Sequence, residues 1–306
     1  MHRRFPNHPW SDGLRALATT EKAGLRRIIV ATPLVWQILF YCIPLVFILA
    51  VSFWIVRDYQ VAPAWTLSSY RTLLQSQVYG DATLNSLWFA GATAALGTIL
   101  AFPLAYAIRL QAPGGAQRLL IFCLFVPFFS SYLIRVSAWQ LWLDDNGILA
   151  YCLRRVGLLV RPLSLIYTPI ATIVGLLSFL IPIASLVIYI GLTQIDSTLL
   201  LAARNLGATR SQTFVHIELP LVIHSIAVSF LLTFIISLGD FISQGMLGGG
   251  KVPTLSMLII DRVKIGDWPT ASALGVMMLS LSVVSILAMA KLIGALPGVH
   301  SDGRSK

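Results

Sequence analysis

Six long apolar stretches constrain this chain of 306 residues more than any other feature of it. Residues 28–56, 82–108, 162–195, 219–239 and 268–290 contain no Asp, Glu, Lys or Arg, and residues 119–143 contain only Arg135. Each run meets or exceeds the roughly 20 residues that carry a helix across a bilayer. In hydrocarbon every backbone N–H and C=O must be satisfied within the segment, so apolar runs of this length are read as helices. Charged residues make up 11% of the chain, against roughly 25% in soluble domains. The expectation is an all-α integral membrane protein: a domain of six transmembrane helices over residues 28–292, a basic tail over 1–27 and a short tail over 293–306.

The first run is far longer than the apolar core of a signal peptide and no A-x-A-like site follows it, so it is expected to remain in the mature protein. Before it stand Arg3, Arg4, Arg15, Lys22, Arg26 and Arg27 against Asp12 and Glu21. That bias places the amino end in the cytoplasm. Threading six spans from there puts residues 109–118, the loop around residues 196–220 and the carboxyl end inside, with 57–81, 144–161 and 248–267 outside.

The net charge of +10 does not indicate nucleic-acid binding. The basic residues are scattered over tails and loops without the stripe that tracks a phosphate backbone, and a basic cytoplasmic tail is suited to anionic lipid. Three cysteines and five histidines never approach metal-ligand spacing. Gly245 to Lys251 follows the frame of a phosphate-binding loop, but Val252 replaces the hydroxyl residue that would hold Mg²⁺. Its glycines are expected to turn the chain sharply after the fifth span. There is no G-x-S-x-G, paired histidine set or acidic cluster, so the chain is not read as an enzyme.

The loop between the fourth and fifth spans is the most informative polar segment. Asp196 or Ser197 can cap a short helix through residue 205. Ala202 and Ala203 leave a thin face suited to a groove, and Gly207 can take positive φ and end the helix. Thr209 or Ser211 can start a second helix, with Pro220 in the first turn of the next span. Such a fold suits docking to a soluble partner.

Leu201-Ala202-Ala203-Arg204, then Gly207, then Ile217, Leu219 and Pro220 resemble the E-A-A-x-x-x-G…I-x-L-P coupling loop of ABC importer permeases. Leu201 stands where that family has glutamate, which implies one charged contact fewer with the ATPase. The resemblance extends over roughly residues 28–290. Pro127 to Trp139, Gly147-Ile148-Leu149, Gly239-Asp240-Phe241 and Asp267-Trp268-Pro269 are similar to the spermidine/putrescine branch. It implies a type I importer permease with a MetI-like fold in the bacterial cytoplasmic membrane, both termini cytoplasmic. The implied partners are a cytoplasmic ABC ATPase dimer, a second permease and an external solute-binding protein. ATP and Mg would be bound by the ATPase and no cofactor by this chain. A polyamine is the implied solute; an amino-acid derivative or opine carried by the same architecture is the alternative. A secondary transporter would show paired broken helices in an internal repeat, which the sequence lacks.

Charges within a membrane are expensive and default to function. Arg135 and Asp240 both fall toward the outer ends of their spans, where they could pair and lock the third span to the fifth, or Asp240 could touch solute. Tyr132 and Phe241 could line the same region, with Trp139 and Trp142 in the interfacial belt. Gly91 and Ala95 form a small-residue face suited to close helix packing.

Overall fold

The computed structural model describes residues 31–57, 60–110, 114–157 and 165–294; the amino-terminal tail and all of the carboxyl tail beyond residue 294 lie outside these. Five helices are long and apolar enough to span a membrane: α1 (Ala31–Val51), α3 (Gln77–Leu110), α7 (Pro169–Thr193), α9 (Arg210–Gly239) and α12, whose apolar part is Trp268–Leu292 and which ends at Gly294. Between α1 and α3 lie a two-stranded antiparallel hairpin, β1 (Ile55–Arg57) and β2 (Gln60–Ala62), and the short helix α2 (Ser68–Gln75).

The remaining run, expected as one span, is broken. α4 (Gly115–Phe125) continues as a 3₁₀ turn through Phe129, and α5 (Tyr132–Leu143) then leaves with α6 (Ile148–Arg155) at an angle of 95°. Pro127 and the extended Ser130 and Ser131 stop the first helix. Arg135 explains how the break survives among apolar residues. Its Nη2 donates to the carbonyl of Pro127, to that of Ser130 at 3.3 Å and to the Ser130 hydroxyl at 2.8 Å, and its guanidinium lies 5.2 Å from the centre of the Phe179 ring. The cation thus occupies acceptors that the interrupted helix leaves without N–H partners. Because hydrogen bonds to a charged group contribute about 2 kcal/mol each, Arg135→Leu should lower stability by about that amount or more. Thermal unfolding of the purified protein checks this, and an unchanged midpoint would show that water suffices at the break.

α3, α7 and α9 pack mutually and form the centre of the domain, with α12 against α9, α11 (Leu255–Lys264), α2 and α1. At one end Ala101 and Ala105 of α3, Ala184, Ile188 and Leu192 of α7, Ile195 just after α7, and Val222 of α9 form a buried cluster. Ser185 Oγ donates to the Ala101 carbonyl at 3.3 Å and Ser229 Oγ to that of Ala184 at 3.4 Å, bonds that join helices across apolar surroundings. The small-residue face of α3 is real but displaced. A Cβ on Gly91 would meet nothing within 4 Å, whereas Ala90, Ala94, Ala101 and Ala105 are buried and a Cβ on Gly97 would stand 3.4 Å from Leu177.

Two helices contain a π-turn, Ile38–Cys42 in α1 and Phe214–Glu218 in α9, and each ends two residues before a proline, Pro44 and Pro220. A proline lacks the N–H and its ring presses on the carbonyl four residues back. Widening the preceding turn, with Ile43 N bonding Ile38 O and Leu219 N bonding Phe214 O, lets the helix continue through it.

Candidate functional site

The segment 196–220 folds as two short helical pieces meeting at a sharp corner. Asp196 caps α8 (Ser197–Asn205): its Oδ1 accepts from the Thr198 amide at 2.9 Å. That backbone bond, and then the Thr198 hydroxyl, hold its carboxyl below the ordinary carboxylate value. The helix ends in a reciprocal pair of bonds, Ala208 N to Ala203 O at 3.0 Å and Gly207 N to Arg204 O at 2.9 Å, with Gly207 at φ +85°. This is a Schellman closure, and the left-handed residue it requires favours glycine. Thr209 then caps the first turn of α9 in a capping box: Thr209 N donates to Gln212 Oε1 at 2.8 Å and Gln212 N to Thr209 Oγ1 at 3.3 Å. The second piece is therefore not separate; it runs through the π-turn into the apolar length of α9.

Leu199, Leu201 and Leu206 are exposed, Leu206 to 90%, and Ala202 and Arg204 share that solvent side. Ala203 does not: it is 8% exposed, turned into its own chain, so the thin face expected from the alanine pair is supplied by Ala202 alone. Leu200 packs on the cluster of α3, α7 and α9, and Phe214 sits 5.9 and 5.3 Å from the rings of Phe102 and Tyr106. Ile217 and Leu219 are half-buried and Pro220 is exposed. The loop thus shows solvent a mixed surface, exposed leucines among polar and charged residues such as Arg204 and Asn205, while its inner side is keyed to the central helices.

Asp240 lies some 20 residues beyond Pro220, roughly 30 Å along the helix at 1.5 Å per residue. There α9 stops, Asp240 is extended, and the five-residue helix α10 (Ile242–Met246) begins. One carboxylate oxygen accepts from the Tyr132 hydroxyl at 2.7 Å and the other from the Ser243 amide at 3.0 Å. Tyr132 also shares a 2.6 Å hydrogen bond with the Ser243 hydroxyl and packs on Phe179. Ser256 Oγ donates to the Asp240 carbonyl at 2.8 Å, and Thr254 donates to Gln244 Oε1. Ser86 Oγ accepts from Leu255 N at 2.8 Å, fixing this cluster to α3. Phe241 projects beside it, 41% exposed.

The pairing of Arg135 with Asp240 does not occur. Among the described residues the ion pairs are Arg262–Asp267 and Lys264–Asp261, both at 3.6 Å. Arg135 is drawn instead to the carbonyls of the broken span. Ser243, Gln244, Thr254 and Ser256 escaped the sequence reading; the spacing Asp240-x-x-Ser243, which suits a side chain capping a new helix turn, was the available signal. Gly249 and Gly250 have φ of +63° and +66°, so the glycine run does turn the chain, but after α10 rather than at the end of α9. Lys251 closes over the Tyr167 ring, its Nζ 5.8 Å from the centre.

A family model described as the inner membrane component of binding-protein-dependent transport systems matches residues 114–295. The spermidine/putrescine transport system permease protein PotB of Salmonella typhimurium (strain SL1344) is 32% identical over 251 residues, covering 81% of this chain and 86% of that protein. PotB of Haemophilus influenzae (strain ATCC 51907 / DSM 11121 / KW20 / Rd) is 33% identical over 254 residues, 82% and 88% of the two chains. A chain in the crystal structure of a bacterial ABC transporter involved in import of the acidic polysaccharide alginate superposes with a TM-score of 0.71 at 19% identity, covering 91% of this chain and 98% of that one.

Proposed function

The chain belongs to the family of inner membrane components of binding-protein-dependent transport systems, and from that we propose that it is one permease half of an ATP-driven importer of a polyamine such as spermidine or putrescine. In this reading a cytoplasmic ABC ATPase dimer docks on α8 and the corner at Gly207, a second permease completes the pathway, and an external binding protein delivers the solute. Both termini and residues 196–220 are assigned to the cytoplasmic side.

The relatives named above for spermidine and putrescine support the solute class, and the observation that carries it to particular residues is the state of Asp240. Its carboxylate is bonded only to neutral groups, Tyr132 and Ser243, and no lysine or arginine nitrogen lies within 4.0 Å of it among the described residues. A carboxylate at the outer end of a membrane helix, beside aromatic rings and without a resident cation, suits an incoming ammonium group through charge and cation–π attraction. The loop and the carboxylate sit near opposite ends of one helix, so movement of the ATPase reaches the solute site through α9. Binding of ATP biases the conformations only to the extent that the ATPase contacts them differently.

The reading is tested by reconstituting the chain with its partner permease, ATPase and binding protein in liposomes. Labelled putrescine or spermidine should accumulate only with ATP, and solute-loaded binding protein should raise ATP hydrolysis. Uptake by this chain alone under an ion gradient would establish a secondary transporter instead.

A further inference from the structure

One group of charges remains that neither docking nor solute contact uses. Glu218 closes the π-turn of α9, is 9% exposed, and has its Oε2 buried without a hydrogen-bond partner among the described residues. Near the end of α3, the helix on which that turn packs, Arg109 has Nη1 buried and likewise without a partner among the described residues. The Tyr106 hydroxyl is the hydrogen-bonding neighbour of Glu218 and also lies within the field of Arg109 and Arg210. Yet no nitrogen of either arginine comes within 4.0 Å of the Glu218 carboxylate among the described residues. A buried charge lacking a full set of partners is costly, because it has given up water without gaining an equal contact. Opposite charges left apart in one cleft therefore favour a neighbouring conformation in which they meet. Arg210 is exposed, whereas Arg109 is half-buried with its Nη1 shielded from solvent, so Arg109 is the better match for a buried carboxylate.

The surroundings show how little must move. At the other end of the same π-turn, Phe214 rests on Phe102 and Tyr106, whose rings stack with each other at 6.1 Å and an interplanar angle of 11°. Phe214 meets both rings edge-on, at interplanar angles of 63° and 71°, so this end of the turn is seated on α3 by aromatic contact and not by polar bonds. A π-turn holds one more residue than an α-turn, so its loss or migration rotates and shifts everything on its N-terminal side. Here that is α8 and the corner at Gly207.

We propose that Glu218 is a positioning residue for coupling: its carboxylate stands apart from Arg109 in this conformation and closes on it in the alternate one, setting the register of the first turns of α9 on α3. The proposal rests on the importer reading, and it adds a charged contact within the chain to the docking surface outside it.

The test uses the assembled complex with ATPase, partner permease and binding protein. Glu218→Gln keeps the shape and removes the charge; it and Arg109→Gln should each reduce solute-stimulated ATP hydrolysis at least about fivefold, the low end of ordinary coupling energies. Basal hydrolysis and complex yield should remain at wild-type levels. Exchanging the charges, Glu218→Arg with Arg109→Glu, should recover at least half of the stimulation lost in either single exchange. If the exchanged pair does not assemble, the variant Glu218→Cys/Arg109→Cys decides: its cross-linking yield should differ between nucleotide-free and vanadate-trapped complexes. Full stimulation in Glu218→Gln, no recovery in an exchanged pair that assembles, or equal cross-linking in both states would overturn the proposal. Failure of the importer reading is distinguishable, because the unsubstituted complex would then show no stimulation at all.

Discussion

Gly207→Val should cut solute-stimulated ATP hydrolysis and uptake severely while the chain still inserts and pairs with its partner permease. A Cβ at Gly207 would meet nothing within 4 Å, so space is not the issue; the φ of +85° is. A β-branched residue held there costs about 2 kcal/mol or more, which leaves the observed corner at roughly 3% of its population relative to relaxed alternatives. The Schellman bonds from Gly207 and Ala208 would break first, and α8 would lose its angle to α9. Uptake should fall on the order of tenfold to a hundredfold, following that population. Gly207→Asn is the control, because asparagine tolerates the left-handed region, and it should retain most activity. Ala202→Trp should give the same loss by obstructing the docking surface from outside. Ala203→Trp is a poorer probe than the sequence suggested, since that side chain is buried in its own chain and would disturb the packing. Normal uptake with both Gly207→Val and Ala202→Trp would reduce residues 196–220 to a connector.

Asp240→Asn should raise the KM for a polyamine at least about thirtyfold, the lower end of what removing one member of a buried charge contact costs. The amide can still accept from Tyr132, but its NH₂ would face the Ser243 amide, so the substitution also loses a local hydrogen bond. Tyr132→Phe separates these effects. It removes the hydroxyl that bonds Asp240 and Ser243 while leaving the carboxylate in place, and should cost about 1 kcal/mol of stability with a much smaller change in KM. Equal KM changes in the two variants would show that the cluster matters for structure and not for charge. Adding Arg135→Gln to Asp240→Asn should restore nothing, because Arg135 serves Pro127 and Ser130 rather than Asp240.

The five unbroken spans were legible because bilayer thickness and backbone satisfaction act on composition and length alone. The corner was legible for a related reason. Asp196, Gly207 and Thr209 act through bonds to neighbours two to five residues away, so their spacing in the chain is already their geometry. A rule that counts apolar residues could not see the broken third span, since the run from Leu119 to Leu143 passes it while Pro127 and the two serines turn it by 95°.

The partners of Arg135 and Asp240 were likewise beyond reach. Two opposite charges at similar depth suggest a bridge, and only the packing of α5 against α10 shows that Tyr132 takes the place beside the carboxylate. The same holds for Ala203, whose inward turn depends on how α8 rolls on its neighbours, and for Glu218, which reads as one ordinary acid ahead of a proline. Helix existence, caps and turns arise from local interactions and are written along the chain. The rotation of each helix about its axis, and with it the identity of every buried charge's partner, is set by contacts between residues as far apart as Tyr132 and Asp240, which only the folded arrangement brings together.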